Sequence, residues 1–157
     1  MRRLSGFLLA GAILSLLAFH GDGSVYAQGS KELTFDGDTA IITVAIKPDK
    51  TADFEQIMKD LAAALMKSDK PERKQQAAGW KVVKSATPLT EGPAAGSVVY
   101  MHVIDPVVKG ADYTILTLLY EANTDPAAQR AIFEKYRDAF AASLGGGEFT
   151  TIVDLSK

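Results

Sequence analysis

The chain has 157 residues, a formal net charge of −2 and no cysteine. That composition excludes a disulfide framework, a thiolate nucleophile and cysteine-held metal. The near balance of charge gives no reason to expect nucleic acid as a partner.

In chain order, Arg2 and Arg3 open the sequence, and an apolar run follows from Phe7 to Phe19. Val25-Tyr26-Ala27 then places small residues at the two positions a signal peptidase reads. This is the order of a secretory signal. The run is about 13 residues, too short to span a bilayer as a helix. The expected organisation is a signal peptide over 1–27, a loose lead-in over 28–39, and one α/β domain over 40–157. Cleavage leaves about 130 residues with 15 basic and 18 acidic side chains, enough for a core without staples. Export to the periplasm or the medium is expected, with no membrane attachment after cleavage.

Ala40 to Lys47 is dense in β-branched residues and stops at Pro48, so it reads as a strand. Asp49, Thr51 and Asp53 offer capping and first-turn acids. Phe54, Ile57, Met58, Leu61 and Leu65 recur at spacings of three and four, an amphipathic helix. A short polar helix from Pro71 to Ala78 is closed by Gly79. Trp80 to Ser85 reads as a second strand and Val98 to Ile104 as a third. The Pro- and Gly-rich stretch from Thr87 to Gly96 is a lid or a long hairpin connection. Asp112 is placed to cap a helix running to Ala122. Thr124-Asp125-Pro126 starts another, whose stripe runs through Ile132, Phe133, Tyr136, Ala139, Phe140 and Leu144. Gly145-Gly146-Gly147 is expected to end that helix, and Phe149 to Leu155 to form the closing strand.

Strand, helix, strand, strand, helix, strand is the ferredoxin-like split βαβ order. The fold class is α+β, with a four-stranded antiparallel sheet and its helices on one face. Alternation then sorts the strands. Ile42, Val44 and Ile46, with Val99, Met101 and Val103, form uniformly apolar sets that suit the helix side. Ile41, Thr43 and Ala45, with Val98, Tyr100, His102 and Ile104, are assigned to the open face. Trp80 and Val82, or else Val83, join them, as do Phe149, Thr151 and Val153. Burying roughly 600 Å² of such a face yields on the order of 15 kcal/mol gross, of which association costs half or more. A homodimer packing sheet on sheet is expected, with a semi-polar cavity between the sheets or between sheet and helices.

The run AIITVAIKPDKTADFEQIMKDL and the element order after it resemble the dimeric α/β-barrel superfamily, in particular its antibiotic-biosynthesis-monooxygenase-like branch. The resemblance implies a dimer and a fold that hosts oxygenases, isomerases and haem-degrading enzymes. Haem degradation is disfavoured: the first strand has no Asn, the sole Asn is Asn123, and His102 sits on a strand. The insertion VIDPVVKGADYTILTLLYEA also departs from the compact members of that superfamily.

His102 is the only histidine after Ala27 and reads as a general base or as a hydrogen-bonded packing residue. Trp80 reads as a stacking platform or an interface anchor. Tyr100, Tyr113 and Thr43 complete the candidate ligand set. No metal-ligand spacing occurs and no cofactor motif is present. The leading expectation is an exported homodimer that binds a small apolar molecule. The alternatives are a cofactor-independent monooxygenase or isomerase using His102, and a structural module whose sheet face is consumed by dimerisation.

Overall fold

A computed structural model describes residues 32–155 of the chain. The signal peptide expected over 1–27, and residues 28–31 of the lead-in, lie outside the described residues. The elements are β1 (Thr39–Ile46), α1 (Thr51–Lys67), α2 (Pro71–Gly79), β2 (Trp80–Lys84), β3 (Val98–Ile104), α3 (Ile115–Ala122), α4 (Pro126–Ala139) and β4 (Phe140–Phe149). The four strands form one antiparallel sheet in the order β2-β3-β1-β4. This α+β arrangement is compatible with a ferredoxin-like fold.

The apolar spacing of α1 places Phe54, Ile57, Leu61 and Leu65 in the core, each worth about 1.5–3 kcal/mol of burial. Pro48–Lys50 forms a single 3-10 turn ahead of it, and Lys50, without a side-chain cap, stands at its N-terminus. α4 starts as its Asp-Pro signal predicts: the Asp125 carboxylate accepts from the N–H groups of Ala127 and Ala128, and Pro126 follows it. α2 ends at the buried Gly79. A side chain there would strike the carbonyl oxygen of Pro106 at 2.5 Å, so the close approach admits only glycine.

Four expectations are corrected. Asp112 does not cap α3, which begins three residues later. Instead its Oδ1 accepts from the N–H groups of Thr114 and Leu33 and from the Thr114 hydroxyl. The described part of the lead-in is tied down by these bonds, by the Tyr113 N–H donating to the Leu33 carbonyl, and by the buried ring of Phe35. The helix expected to run to Leu144 stops at Ala139, and Phe140 opens β4. The three glycines lie inside β4, and residues 150–155 form no strand.

Pairing with β1 overrides the helix-ending character of those glycines. β1 needs a partner along its free edge, and Gly146 lets β4 come close: a Cβ on it would collide with the Ile41 carbonyl oxygen. Register shifts between Thr43 and Val44 and between Ala45 and Ile46 mark two bulges in this pair, with Gly145 at φ +96° beside the first. The connection from β2 to β3 folds back on itself, with the Gly96 N–H donating to Leu89 and the Leu89 N–H to Ser97. It is a hairpin connection.

Candidate functional site

Register decides which strand residues share a face. β1 pairs Ile42 with His102, Val44 with Tyr100 and Ile46 with Val98. β2 pairs Trp80 with Ile104, Val82 with His102 and Lys84 with Tyr100. Directly opposed residues project to the same side. Val44, Ile46 and Tyr100 pack with Phe54 of α1 and Ala139 of α4, so this is the helix side. The face expected for β3 is therefore inverted. Tyr100, His102 and Trp80 lie under the helices, while Val99, Met101 and Val103 look outward. Both alternate sets of VVYMHVI are apolar enough for a core, and only pairing with β1 breaks the tie.

Four of the five candidate residues come together on the helix side as a chain of rings. Trp80 stands 5.8 Å from His102 and 5.3 Å from Tyr113, and Tyr113 stands 5.3 Å from Phe35. Phe54 meets Tyr100 at 4.8 Å and His102 edge-on at 6.2 Å. His102 is only 1% exposed. Its Nδ1 accepts from the Trp80 Nε1–H at 3.2 Å, which leaves the proton of the neutral ring on Nε2. Burial pushes its pKa down to about 4. It is a neutral core imidazole with no route to solvent from which to take a substrate's proton. Tyr113 is sealed too, its hydroxyl oxygen accepting from the Val108 N–H at 2.8 Å. The Tyr100 hydroxyl donates to Glu55 at 2.6 Å, and Lys84 reaches the same carboxylate oxygen at 2.9 Å. Burial, then the Glu55 bond, raise the Tyr100 pKa, and the Tyr100 bond first of all holds Glu55 low.

Thr43, the fifth candidate, sits on the opposite face. Its row there comprises Thr39, Ile41 and Thr43 of β1, Val99, Met101 and Val103 of β3, Lys81 and Val83 of β2 and Phe149 of β4. The row is apolar apart from Thr39 and Thr43 of β1 and the exposed Lys81 of the edge strand β2, and none of its apolar members packs into the core beneath the helices. Val83 is 48% exposed and Phe149 51%. Ala45, at the far end of the same face, is buried. Gly145 and Gly147 oppose Thr43 and Ile41 and bring no side chains; the Phe149 ring lies over Gly147, 3.5 Å from where a Cβ would stand, and the space above Gly145 is open. Residue typing missed Met101 and its neighbours. The signal for them was the alternative of Val83 in place of Trp80 and Val82 on β2, since Val83 opposes Met101.

Two surface depressions lie elsewhere. One, of about 480 Å³, is bounded by the end of α1, the start of α2 and the end of α3. Its charges answer one another: Arg73 bonds both Glu121 oxygens, at 2.8 and 3.2 Å, and Gln76 at 2.8 Å, and Lys70 joins Glu121 at 3.1 Å. The other, of about 220 Å³, is an apolar groove at the β2 edge lined by Met58, Leu61, Leu65, Ala77, Trp80 and Val82 with Lys59 and Ala62 at its margin. Among the described residues no cluster of three His, Cys, Asp or Glu is placed to hold a metal ion, and no helix is long and apolar enough to cross a membrane.

No protein-family model, no curated protein and no solved structure matches this chain.

Proposed function

We propose that this protein is an exported binding module that works as a pair of copies, their open sheet faces turned toward each other around a small apolar molecule. The observation that carries the reading is the row Ile41, Val83, Val99, Met101, Val103 and Phe149, left outside the core clusters. Patches of this kind mark interfaces or ligand surfaces. The open space above Gly145, opposite Thr43, supports a guest, since two such faces meet imperfectly there, and Thr43 supplies a hydroxyl to orient it. The charge–apolar–cleavage order of residues 1–27 supports export. Sealing of His102 beneath the helices argues for binding over catalysis by that residue.

Native mass spectrometry of the purified protein tests this. The expected result is a dimer at micromolar concentration that carries extra mass of a few hundred daltons, lost on denaturation. A monomer throughout would overturn the reading. A dimer of bare polypeptide mass would remove the guest and leave a dry interface.

A further inference from the structure

Residues 150–155 are the β-prone segment TTIVDL, yet they lie outside the sheet. Ile152 is 90% and Leu155 91% exposed, and Val153 is exposed as well. The segment leaves β4 beside the start of β1, where the Asp38 N–H donates to the Phe149 carbonyl and the Thr151 N–H to Asp38 Oδ2. Three apolar side chains in water at the end of an edge strand call for a partner surface.

The sheet offers two edges. The outer edge of β4 is broken by two bulges and three glycines, a poor template for another strand. The β2 edge is regular, pairs with β3 on one side only, and borders the apolar groove of Met58, Leu61, Trp80 and Val82.

We infer that residues 151–155 of one copy add as a strand along the free edge of β2 of a second copy and seat Ile152 in that groove. This rests on the self-association proposed above and names its mode. Side-chain alternation supports it. With Ile152 toward the groove, on the side of Trp80 and Val82, Asp154 falls on the side of Lys84. Val153 and Leu155 then fall on the side of Lys81 and Val83 and extend the apolar row of Val83, Met101 and Val99. Asp154 is the sole charge in 150–155, and it comes to the side of Lys84, whose ammonium also reaches Glu55 at 2.9 Å. Reach requires two copies. β2 and β4 are opposite edges of the sheet, about 14 Å apart at three strand spacings. Six extended residues span about 20 Å. The segment cannot cross its own sheet and still lie along β2. Area points the same way: a face some 20 Å square buries roughly 800 Å² over two copies, short of the 1,200 Å² or more of stable pairs. Two added strands make up the difference.

The chain has no cysteine, so an engineered pair reports cleanly. In the full chain, Ile152→Cys with Ala62→Cys is expected to give a disulfide-linked dimer under mild oxidation, and Ile152→Cys with the exposed Ala131→Cys of α4 is not. Ile152→Asp is expected to raise the dimer Kd at least tenfold and to speed hydrogen exchange along β2. A native dimer with no cross-link, unchanged Kd and unchanged β2 exchange would overturn strand addition while leaving face-to-face pairing standing. A disulfide closed within one chain would overturn the exchange between copies. A protein monomeric before any substitution would overturn both readings together.

Discussion

The indole N–H of Trp80 donates to Nδ1 of His102 across 3.2 Å, and the bond spans neighbouring strands beneath the helix layer. The indole supplies the one hydrogen-bond type a buried neutral imidazole nitrogen needs, an N–H donor. In return the imidazole gives the buried indole an acceptor. The pair explains how a histidine persists among Phe54, Ile42 and Val82 without its charge.

The protonation of His102 is the first prediction. In the unfolded chain the ring takes its proton near pH 6.5, and in the folded one only near 4. Between those values the unfolded state binds more protons. The contribution is therefore intact above about pH 6.5 and declines as the pH falls toward 4, by about 3 kcal/mol in all. Urea unfolding at pH 7 and pH 4 is expected to show that loss, reduced in His102→Gln. NMR titration of the imidazole with a midpoint near 6.5 would contradict it.

Breaking the link between α2 and α3 is the second. Arg73 is buried, and Glu121 is the main cause of its raised pKa, as Arg73 is of the lowered Glu121 value. Glu121→Ala strands a buried guanidinium. Because the Glu121 side chain is about a third exposed, the loss falls below the full value for a buried pair, at about 2 kcal/mol. The depressed carboxylate stabilises above its unfolded pKa of about 4.5, and that stability fades as the pH falls below it. A melting temperature unchanged in Glu121→Ala would refute the link.

The glycines of β4 supply a third, with an internal control. Gly146→Ala places a methyl against the Ile41 carbonyl oxygen and, at 3.1 Å, the Ile42 Cα. Backbone must move, at about 1–3 kcal/mol. One residue on, Gly147→Ala meets only the Phe149 ring at 3.5 Å, so it is expected to be neutral or to stabilise by up to about 1 kcal/mol. Equal denaturation midpoints for the two variants would show that the strands do not approach this closely.

The two faces of β3 respond differently in the fourth. Tyr100→Phe removes the hydrogen bond to Glu55 and is expected to destabilise by about 1 kcal/mol without altering oligomeric state. Met101→Glu, on the other face, is expected to leave stability within about 1 kcal/mol and to shift the protein to monomer. Denaturation paired with light scattering separates the two effects. A stable dimer in Met101→Glu would place the interface elsewhere.

Where period and punctuation agreed, the elements were legible from residues alone. Phe54, Ile57, Leu61 and Leu65 mark α1, Asp125-Pro126 starts α4, and Pro48 closes β1, each by a local rule. The face of β3 was not legible, because Val99, Met101 and Val103 are as apolar as their alternates. A one-residue ambiguity on a strand exchanges core for surface. The candidate set suffered accordingly: Trp80, Tyr100, His102 and Tyr113 were gathered correctly as neighbours but on the wrong side, and Thr43 belongs to the opposite face. The glycines at 145–147 misled for a related reason. Their local preference is to stop a helix, and the demand of β1 for a close partner outweighs it.

By itself the sequence determined the element types, their order and the absence of thiol chemistry, since these rest on interactions within a few residues. Tertiary structure decided that Tyr100 and His102 are roofed by α1, that Met101 and Phe149 face outward, and that Ile152 is left in water. Those outcomes depend on pairing between segments up to about a hundred residues apart, Ile41 with Gly147 among them. A strand that is greasy on both sides carries no local mark of which side its partners will cover.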